Sequence, residues 1–339
     1  MRSLAVVGGV LLGGAVLVAS VLGLAASYSL SGWLIVLAAA LVATGMVSAR
    51  RRGITRAGLA LLGLVFATRL AFVGGGGTSL VTLPGPSGHR WLGRVIDEQD
   101  VSLLGARVVG LTWKLPPAER AALVPAMHDA YVAMRASEGT TASPVLDTLL
   151  GRQHPEAFDA IVIEPRSSPP RAAVIFLHGY GGSFTLECWM MAEAARAIDA
   201  VTVCPSSSLA GKWWTPEGER TVRATIAYLE GRGLKHPFLS GLSNGGIGAS
   251  LLASRLAPSI AGLVLISGAS PNGSTGGLPA LALHGESDMT VSAAASRAFA
   301  SRTGATYVGL DGGHFVMMVR REEVRERIAE FLRRAIGGR

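Results

Sequence analysis

The hydrophobic positions of this 339-residue chain follow one pattern in the first 77 residues and another after residue 157. The first pattern consists of three apolar runs, at about residues 4–27, 30–48 and 57–73. A helix rises about 1.5 Å per residue, so runs of this length cross most or all of a hydrocarbon core of about 30 Å. The pattern predicts an N-terminal membrane anchor over residues 1–77 with two to three transmembrane helices.

From Phe158 onward, short runs rich in β-branched residues alternate with stretches of helical periodicity. This alternation predicts βαβ units, and hence an α/β domain over residues 157–339 with a doubly wound, mostly parallel sheet covered by helices on both faces. The strand candidates are 160–165, 172–179, 200–205, 236–241, 262–268, 279–285 and 305–310, and the helices lie near 185–198, 216–232, 244–256, 291–302 and 321–336.

The region between these two patterns, residues 78–156, is mixed and carries no motif. Residues 116–136 have helical periodicity with Pro116 and Pro117 at the start, where proline is tolerated. Pro125 is expected to kink this helix or split it in two. We interpret residues 78–156 as a partly helical connector that packs on the domain behind it.

Charge is distributed unevenly along the chain. Hydrophobic types make up 49% of the residues, charged types 16%, and the formal net charge is +8. The first 76 residues hold six of the 31 basic residues and no acidic one, since the first acidic residue is Asp97. The rest of the chain is nearly neutral, with 25 basic against 23 acidic residues. The sequence therefore gives no support for a nucleic-acid partner, because the excess charge belongs to the anchor.

The arginines of the anchor indicate its orientation. Four of them lie in the loop at residues 49–56, and cytoplasmic loops carry an excess of positive charge. Three crossings then place the N-terminus inside and everything beyond Gly74 outside, which makes the chain a multi-pass protein of the cell membrane with an extracytoplasmic α/β domain. Two crossings would reverse that side.

The number of crossings depends on the first and third apolar runs. The first run could be a cleaved signal peptide, although it is longer than the usual apolar region of about 7 to 15 residues. In the third run Arg69 costs about 2.5 to 3.5 kcal/mol on insertion scales unless its side chain snorkels to the far interface. Residues 74–77 are interpreted as a flexible exit linker.

Two cysteines, Cys188 and Cys204, lie in the α/β domain. They are either buried thiols or a disulfide, because the start of a helix and the end of the next parallel strand meet at one edge of the sheet. A disulfide would suit an extracytoplasmic compartment. Their spacing does not fit a zinc site, and no metal or cofactor is expected.

A candidate nucleophile lies at Ser243, in the G-x-S-x-G sequence of residues 241–245. The pattern is weak alone, but here it falls where a predicted strand ends and a helix of small residues begins. A strained nucleophile elbow requires this strand-turn-helix corner, and the glycines leave room for the tight turn.

A serine nucleophile needs a base to take its proton and an acid to orient that base. Asp288 and His314 each follow a strand beyond Ser243, in the chain order Ser, Asp, His that this topology uses. Asp311 is a rival acid that fits a turn residue better, and His284 fits a structural residue at a strand end better than a base.

The oxyanion formed in acyl transfer needs preorganised N–H donors. The backbone N–H of Asn244, directly after the nucleophile, is one candidate. The second is expected from the glycine-rich loop after strand 172–179, where Tyr180 N–H is preferred and Gly181 N–H is the alternative.

Four motifs, namely HGYGG at 178–182, GLSNG at 241–245, HGESD at 284–288 and GGH at 312–314, resemble those of the α/β-hydrolase superfamily. Only residues 269–278 separate two strands where lidded members insert a cap, so the chain looks like the compact, capless esterases similar to dienelactone hydrolases and acyl-protein thioesterases. The resemblance covers Phe158 to Arg339 and implies an α/β-hydrolase fold. It shows one clear strand before strand 172–179, so we expect a truncated first edge of the sheet.

The resemblance implies a membrane-anchored serine hydrolase that cleaves carboxylic esters through an acyl-enzyme on Ser243. The expected partners are a small-molecule or lipid-like ester and the lipid bilayer. The oligomeric state is left open. Trp189, Trp213 and Trp214 lie near the motifs and are candidate contacts of an apolar substrate. A peptidase or acyltransferase with the same triad, or a non-catalytic membrane binding protein that keeps the fold, are the alternatives.

Overall fold

A computed structural model describes residues 2–26, 29–47, 52–74, 77–85, 91–112, 114–166 and 169–337. The chain divides into two compact units. The helical unit comprises Met1–Val73 and Arg94–Leu111, and the α/β unit comprises Gly74–Gly93 and Thr112–Arg339. The predicted connector at 78–156 is thus not one element, because its residues are shared between both units.

The helical unit contains α1 (Arg2–Ala26), α2 (Leu30–Val47), α3 (Arg52–Phe72) and α4 (Glu98–Gly110). Helices α2 and α3 are long and apolar enough to cross a membrane, whereas the apolar part described in α1, Val6–Val21, is shorter. Glycine allows α2 and α3 to approach closely, since a Cβ at Gly58 would lie 2.7 Å from the Ala38 carbonyl oxygen. Some of the predicted features lie outside the described residues. These are the span ends at residues 27 and 48, Arg50 and Arg51 of the arginine loop, and positions 75 and 76 of the linker.

Arg69 is buried within the helical unit and does not snorkel into solvent. Its guanidinium donates to the carbonyl oxygens of Arg94 at 2.9 Å and Ile96 at 2.6 Å. It also donates to Ser31 Oγ at 3.1 Å and forms an ion pair with Asp97 at 3.4 Å. Most hydrogen-bond acceptors of Arg69 therefore come from the segment before α4. The sequence alone predicts this side chain at the membrane interface instead.

The α/β unit contains an eight-stranded sheet in the order β1-β2-β4-β3-β5-β6-β7-β8. β2 pairs antiparallel with β1 and β4, and the other neighbours are parallel. The central strands are buried on both faces, which explains their continuous β-branched and aliphatic runs. The strands are β1 (Thr78–Leu83), β2 (Phe158–Ile163), β3 (Ala172–Leu177), β4 (Ala200–Pro205), β5 (Phe238–Leu242), β6 (Gly262–Ile266), β7 (Ala280–Gly285) and β8 (Thr306–Leu310).

The expected truncation of the first sheet edge is wrong, because β1 supplies a second strand before β3. It pairs with β2 in a register that joins Thr78 to Ile163 and Leu83 to Phe158. Its middle residues are only half-buried, as is usual at an edge, so their pattern does not stand out in the sequence.

The helices of the α/β unit lie close to their predicted positions. α5 runs through Pro125 as one helix, so the predicted split does not occur. The helices are α5 (Pro117–Glu138), α6 (Val145–Leu149), α7 (Thr185–Ala195), α8 (Pro216–Gly231), α9 (Asn244–Leu256), α10 (Ala293–Thr303), α11 (Val316–Val319) and α12 (Arg321–Gly337).

A disulfide joins Cys188 on α7 to Cys204 at the end of β4. Their Cα atoms are 5.9 Å apart, a usual separation for a disulfide. Of the two alternatives for these cysteines, the structure therefore contains the disulfide. The bond links α7, the first helix after the HGYGG loop, to β4.

Candidate active site

Ser243 lies at the sharp turn between β5 and α9. Its backbone has φ 54° and ψ −118°, an unfavourable conformation for a residue with a side chain. The turn is held by the hydrogen bond from Ser243 N–H to the Ile266 carbonyl at 2.8 Å. A Cβ at Gly245 would clash with the Leu177 carbonyl, so this position accepts only glycine. These features make a nucleophile elbow that presents the hydroxyl at the carboxyl edge of the sheet.

Ser243, His314 and Asp288 form a continuous hydrogen-bonded chain. His314 Nδ1 lies 2.7 Å from Asp288 Oδ2, and His314 Nε2 lies 3.0 Å from Ser243 Oγ. A carboxylate only accepts, so Nδ1 carries the proton and Nε2 of the neutral ring accepts from the serine hydroxyl. This tautomer is the one in which histidine can remove the serine proton.

Asp288 is kept ionised by its surroundings. Burial alone would raise the pKa of its carboxyl group, but hydrogen bonds from His284 and His314 outweigh that effect and hold the pKa well below its ordinary value. The backbone N–H groups of Thr290 and Val291 donate to Oδ1 at 2.7 Å and 2.9 Å. Asp288 is therefore ionised at neutral pH.

His284 is a part of this chain that the sequence did not predict. Its ring is fully buried, and its Nε2 faces two acceptors, Asp288 Oδ2 at 3.1 Å and the Val291 carbonyl at 3.0 Å. Nε2 must therefore carry the proton, and Nδ1 accepts from the Ser296 hydroxyl at 2.7 Å. His284 therefore lies at the strand end, where the sequence places it, and its Nε2–H also donates to the Asp288 carboxylate.

Asp311, the rival acid, points away from the chain of hydrogen bonds. Its side chain is 91% exposed and forms an ion pair with Arg320 at 2.6 Å. Of the two candidate acids, Asp288 is the one that contacts His314.

The loop after β3 is organised by the buried side chain of His178. His178 Nδ1 donates to the Gly179 carbonyl at 2.8 Å, and Nε2 accepts from Ser207 N–H at 3.1 Å. Burial lowers the pKa of this imidazole to about 4, so the ring is neutral at physiological pH. The neutral ring links the HGYGG loop to the loop that follows β4.

The two preferred oxyanion donors lie on the loops next to Ser243. Asn244 begins α9, where a backbone N–H has no partner within the helix. The Gly181 N–H donates to the Leu209 carbonyl at 2.9 Å, which leaves Tyr180 as the better candidate in that loop. A Cβ at Gly179 would lie 3.1 Å from Ser243 Cβ, so the loop approaches the nucleophile closely.

The three tryptophans predicted as substrate contacts differ in their exposure. Trp213 is fully buried, and its Nε1 donates to the His178 carbonyl at 2.8 Å, so it supports the HGYGG loop from behind. Trp189 is 4% exposed and donates to Ser137 Oγ at 3.1 Å. Trp214, at 37% exposure, is the one that presents its side chain to solvent.

The architecture of the α/β unit agrees with the resemblance seen in the sequence. The sheet is mostly parallel, the elbow lies between β5 and α9, and the order Ser243, Asp288, His314 places each residue after a strand. The α/β unit has the α/β-hydrolase fold. Short β6–β7 and β7–β8 connections leave no inserted cap domain between these strands.

Solved structures with a similar fold are esterases and related hydrolases. Est1E from Butyrivibrio proteoclasticus, solved with ferulic acid, is 18% identical over 53% of this chain and 96% of its own, with a TM-score of 0.46. A predicted CIB-like hydrolase from Thermoplasma acidophilum is 19% identical over 52% of this chain and 93% of its own, with a TM-score of 0.44. XC6422 from Xanthomonas campestris, an α/β serine hydrolase without lid, is 18% identical over 53% of this chain and 89% of its own, with a TM-score of 0.42. At these identities the likeness concerns the fold.

No family model matches the sequence, and no curated protein matches it. Within the described ranges, no group of three His, Cys, Asp or Glu side chains is placed to hold a metal ion.

Proposed function

We propose that the protein is a membrane-anchored serine hydrolase that cleaves carboxylic esters through an acyl-enzyme on Ser243. The observation that carries the proposal is the hydrogen-bonded chain from Ser243 Oγ through His314 to Asp288. Ser243 is 8% and His314 is 7% exposed, so bulk water is largely excluded from the reacting groups.

The geometry supports the usual two-step acyl transfer. Ser243 Oγ attacks the ester carbonyl carbon while His314 Nε2 takes the hydroxyl proton, and Asp288 stabilises the resulting imidazolium. The N–H groups of Tyr180 and Asn244 stabilise the oxyanion. His314 then gives the proton to the departing alkoxide, which leaves the acyl group on Ser243, and a water molecule repeats the sequence to release the acid.

The exposed side chains beside the catalytic loops favour an apolar acyl or aryl group. Tyr180, next to the Gly179 that approaches Ser243, is 75% exposed, and Met289, next to Asp288, is 51% exposed. Trp214 adds a third exposed apolar surface beside the buried Trp213. Apolar walls with a few polar groups are typical of small-molecule sites, so we expect neutral esters to be preferred over charged ones.

The length and apolar composition of α2 and α3 favour the proposed membrane anchor. The loop at residues 49–56 carries four arginines and no acidic residue, which favours a cytoplasmic position for this loop. The disulfide Cys188–Cys204 favours an extracytoplasmic α/β unit, because disulfides persist in oxidising compartments. Reporter fusions after residue 112 test this side. A cytoplasmic position of the α/β unit would refute three crossings.

Labelling of the full chain with a fluorophosphonate tests the nucleophile. We expect stoichiometric labelling of the native protein and none of the Ser243→Ala variant. Ser250→Ala, a buried serine further along α9, is the matched control and should label normally. A panel of esters, thioesters and amides of graded chain length then separates an esterase from a peptidase. Labelling without turnover of any acyl donor would favour the non-catalytic alternative.

A further inference from the structure

Glu119 contacts the loop of residues 311–315, the histidine loop, which carries His314. Glu119 itself lies in a part of the chain outside the sequence resemblance. It lies in the first turn of α5, near residues with no recognisable motif, and its side chain is 4% exposed. Glu119 Oε1 accepts a hydrogen bond from Phe315 N–H at 2.7 Å, across 196 residues of sequence. Phe315 directly follows His314, so the carboxylate holds the backbone on one side of the catalytic imidazole.

The second carboxylate oxygen meets the backbone on the other side of His314. A Cβ at Gly313 would clash with Glu119 Oε2 and would lie 2.9 Å from Pro116 Cδ. Gly313 is not among the residues with positive φ, so backbone conformation does not require a glycine there. The position is glycine because the Glu119 carboxylate and the start of α5 occupy the space of a side chain.

The histidine loop needs such external support. Gly312 and Gly313 give the loop little intrinsic rigidity, and glycine loses more conformational freedom on folding than any other residue. The hydrogen bond from Ser287 N–H to the Gly312 carbonyl at 2.9 Å holds its start. Glu119 holds its end, where the imidazole is attached.

Electrostatics also connect Glu119 with the site. Burial raises the pKa of the Glu119 carboxyl group, while the Phe315 hydrogen bond and the attraction of His314 act in the opposite direction. Asp288 also faces it and repels its charge. The carboxylate thus acts on the loop that carries His314 through the hydrogen bond accepted by Oε1 and through the close approach of Oε2 to Gly313.

We propose that Glu119 is a positioning residue of the active site, whose carboxylate fixes the backbone on both sides of His314. The inference rests on the proposed hydrolase function. It makes the segment before the α/β-hydrolase resemblance part of the catalytic apparatus. A displacement of about 1 Å of a catalytic group can lower a rate about 100-fold, so loosening this loop should act on kcat.

The test compares Glu119→Ala and Glu119→Gln in the full chain, with kcat expressed per fluorophosphonate-titrated site. We expect Glu119→Ala to lower kcat by about 10- to 100-fold with KM nearly unchanged. Glu119→Gln keeps an acceptor oxygen for Phe315 N–H and should recover most of this loss. Glu138→Gln is the matched control, because Glu138 is a buried carboxylate on the same helix that bonds to Arg196 and Thr78.

Gly313→Ala provides a second variant, which keeps the Glu119 side chain and disturbs its contact with the loop from the other side. It should lower kcat as Glu119→Ala does, and the double variant should lose less than the product of the two single losses. A kcat per titrated site equal to wild type in Glu119→Ala, or an equal loss in Glu138→Gln, would overturn the positioning role. Absence of labelling in the wild-type protein would instead refute the hydrolase function and the inference with it.

Discussion

His178 should make the α/β unit sensitive to mild acid. The imidazole is fully buried, and burial lowers its pKa to about 4, whereas an unfolded chain has a histidine pKa of about 6.5. Because the folded value is lower, the unfolded state takes up the proton first as the pH falls. The stabilisation is therefore complete above pH 6.5 and is lost as the pH falls toward 4.

The size of this effect follows from the difference between the two pKa values. A difference of about 2.5 units corresponds to about 3 kcal/mol of unfolding free energy when the loss is complete. At pH 5 the loss is about 2 kcal/mol. For a unit of this size, 1 kcal/mol lowers Tm by roughly 2 to 4 °C, so the His178 contribution at pH 5 is a fall of about 4 to 8 °C.

The assay compares the Tm of the full chain in detergent at pH 7.5 and pH 5 for the wild type and His178→Asn. The asparagine amide can replace Nδ1 as the donor to the Gly179 carbonyl but does not titrate in this range. We expect the variant to be less stable at pH 7.5 and to lose about 4 to 8 °C less on acidification. His236→Asn, at an exposed histidine, is the control. Equal acid shifts in wild type and His178→Asn would refute the reasoning.

Three further perturbations test the disulfide, the oriented acid and the buried arginine. Reduction of the disulfide, or the double variant Cys188→Ala/Cys204→Ala, opens a covalent loop that spans 16 residues of sequence. The free energy of unfolding should fall by about 3 kcal/mol and Tm by about 6 to 12 °C. An unchanged Tm of the wild-type protein in reductant would contradict this. His284→Ala removes a hydrogen-bond donor to Asp288 and should lower kcat per titrated site about 10-fold. An unchanged kcat would exclude an orienting role of His284. Arg69→Leu removes the buried ion pair with Asp97 and the hydrogen bonds of the guanidinium, so the free energy of unfolding of the helical unit should fall by about 3 kcal/mol or more, and Asp97→Asn should recover part of this loss in thermal aggregation assays.

The proximity of Ser243, Asp288 and His314 was predictable because each of them lies just after the end of a strand. The carboxyl ends of parallel strands meet at one edge of the sheet, so chain order and strand ends are enough to bring Ser243, Asp288 and His314 together. The glycines around Ser243 supported the same reading, since only a tight turn requires them. The central strands were predicted for a related reason, because burial on both faces leaves continuous apolar runs.

Other contacts could not be predicted because nothing local encodes them. Glu119 meets Phe315 across 196 residues, and its carboxylate sits in an ordinary helical turn. The burial of Trp213 depends on how the loop after β4 folds beneath the HGYGG loop, so the tryptophan supports the site from behind. His284 was open to prediction, since its spacing of four residues from Asp288 at a strand exit places the two side chains close together.

The ion pair between Arg69 and Asp97 gives a structural explanation for part of the charge pattern in the first hundred residues. Arg69 is the last of the six arginines in the first 76 residues, and Asp97 is the first acidic residue of the chain. The two form a buried ion pair, and the carbonyls before α4 complete the hydrogen bonds of the guanidinium. Residues 94–111 therefore belong to the helical unit although they follow β1 of the sheet.

The two units are built from alternating segments of the chain, so a truncation that is meant to isolate one unit also removes part of the other. A chain shortened to begin near residue 78 would keep α4 but lose α1 to α3, and with them the buried ion pair between Arg69 and Asp97. A chain that begins at residue 157, where the sequence resemblance starts, would lose β1 and with it the partner of β2, and would lose Glu119 as well. Either truncation removes contacts that the remaining fold depends on, so inactivity of a shortened chain would not count against the triad. The full chain is the form in which the catalytic proposal stands or fails.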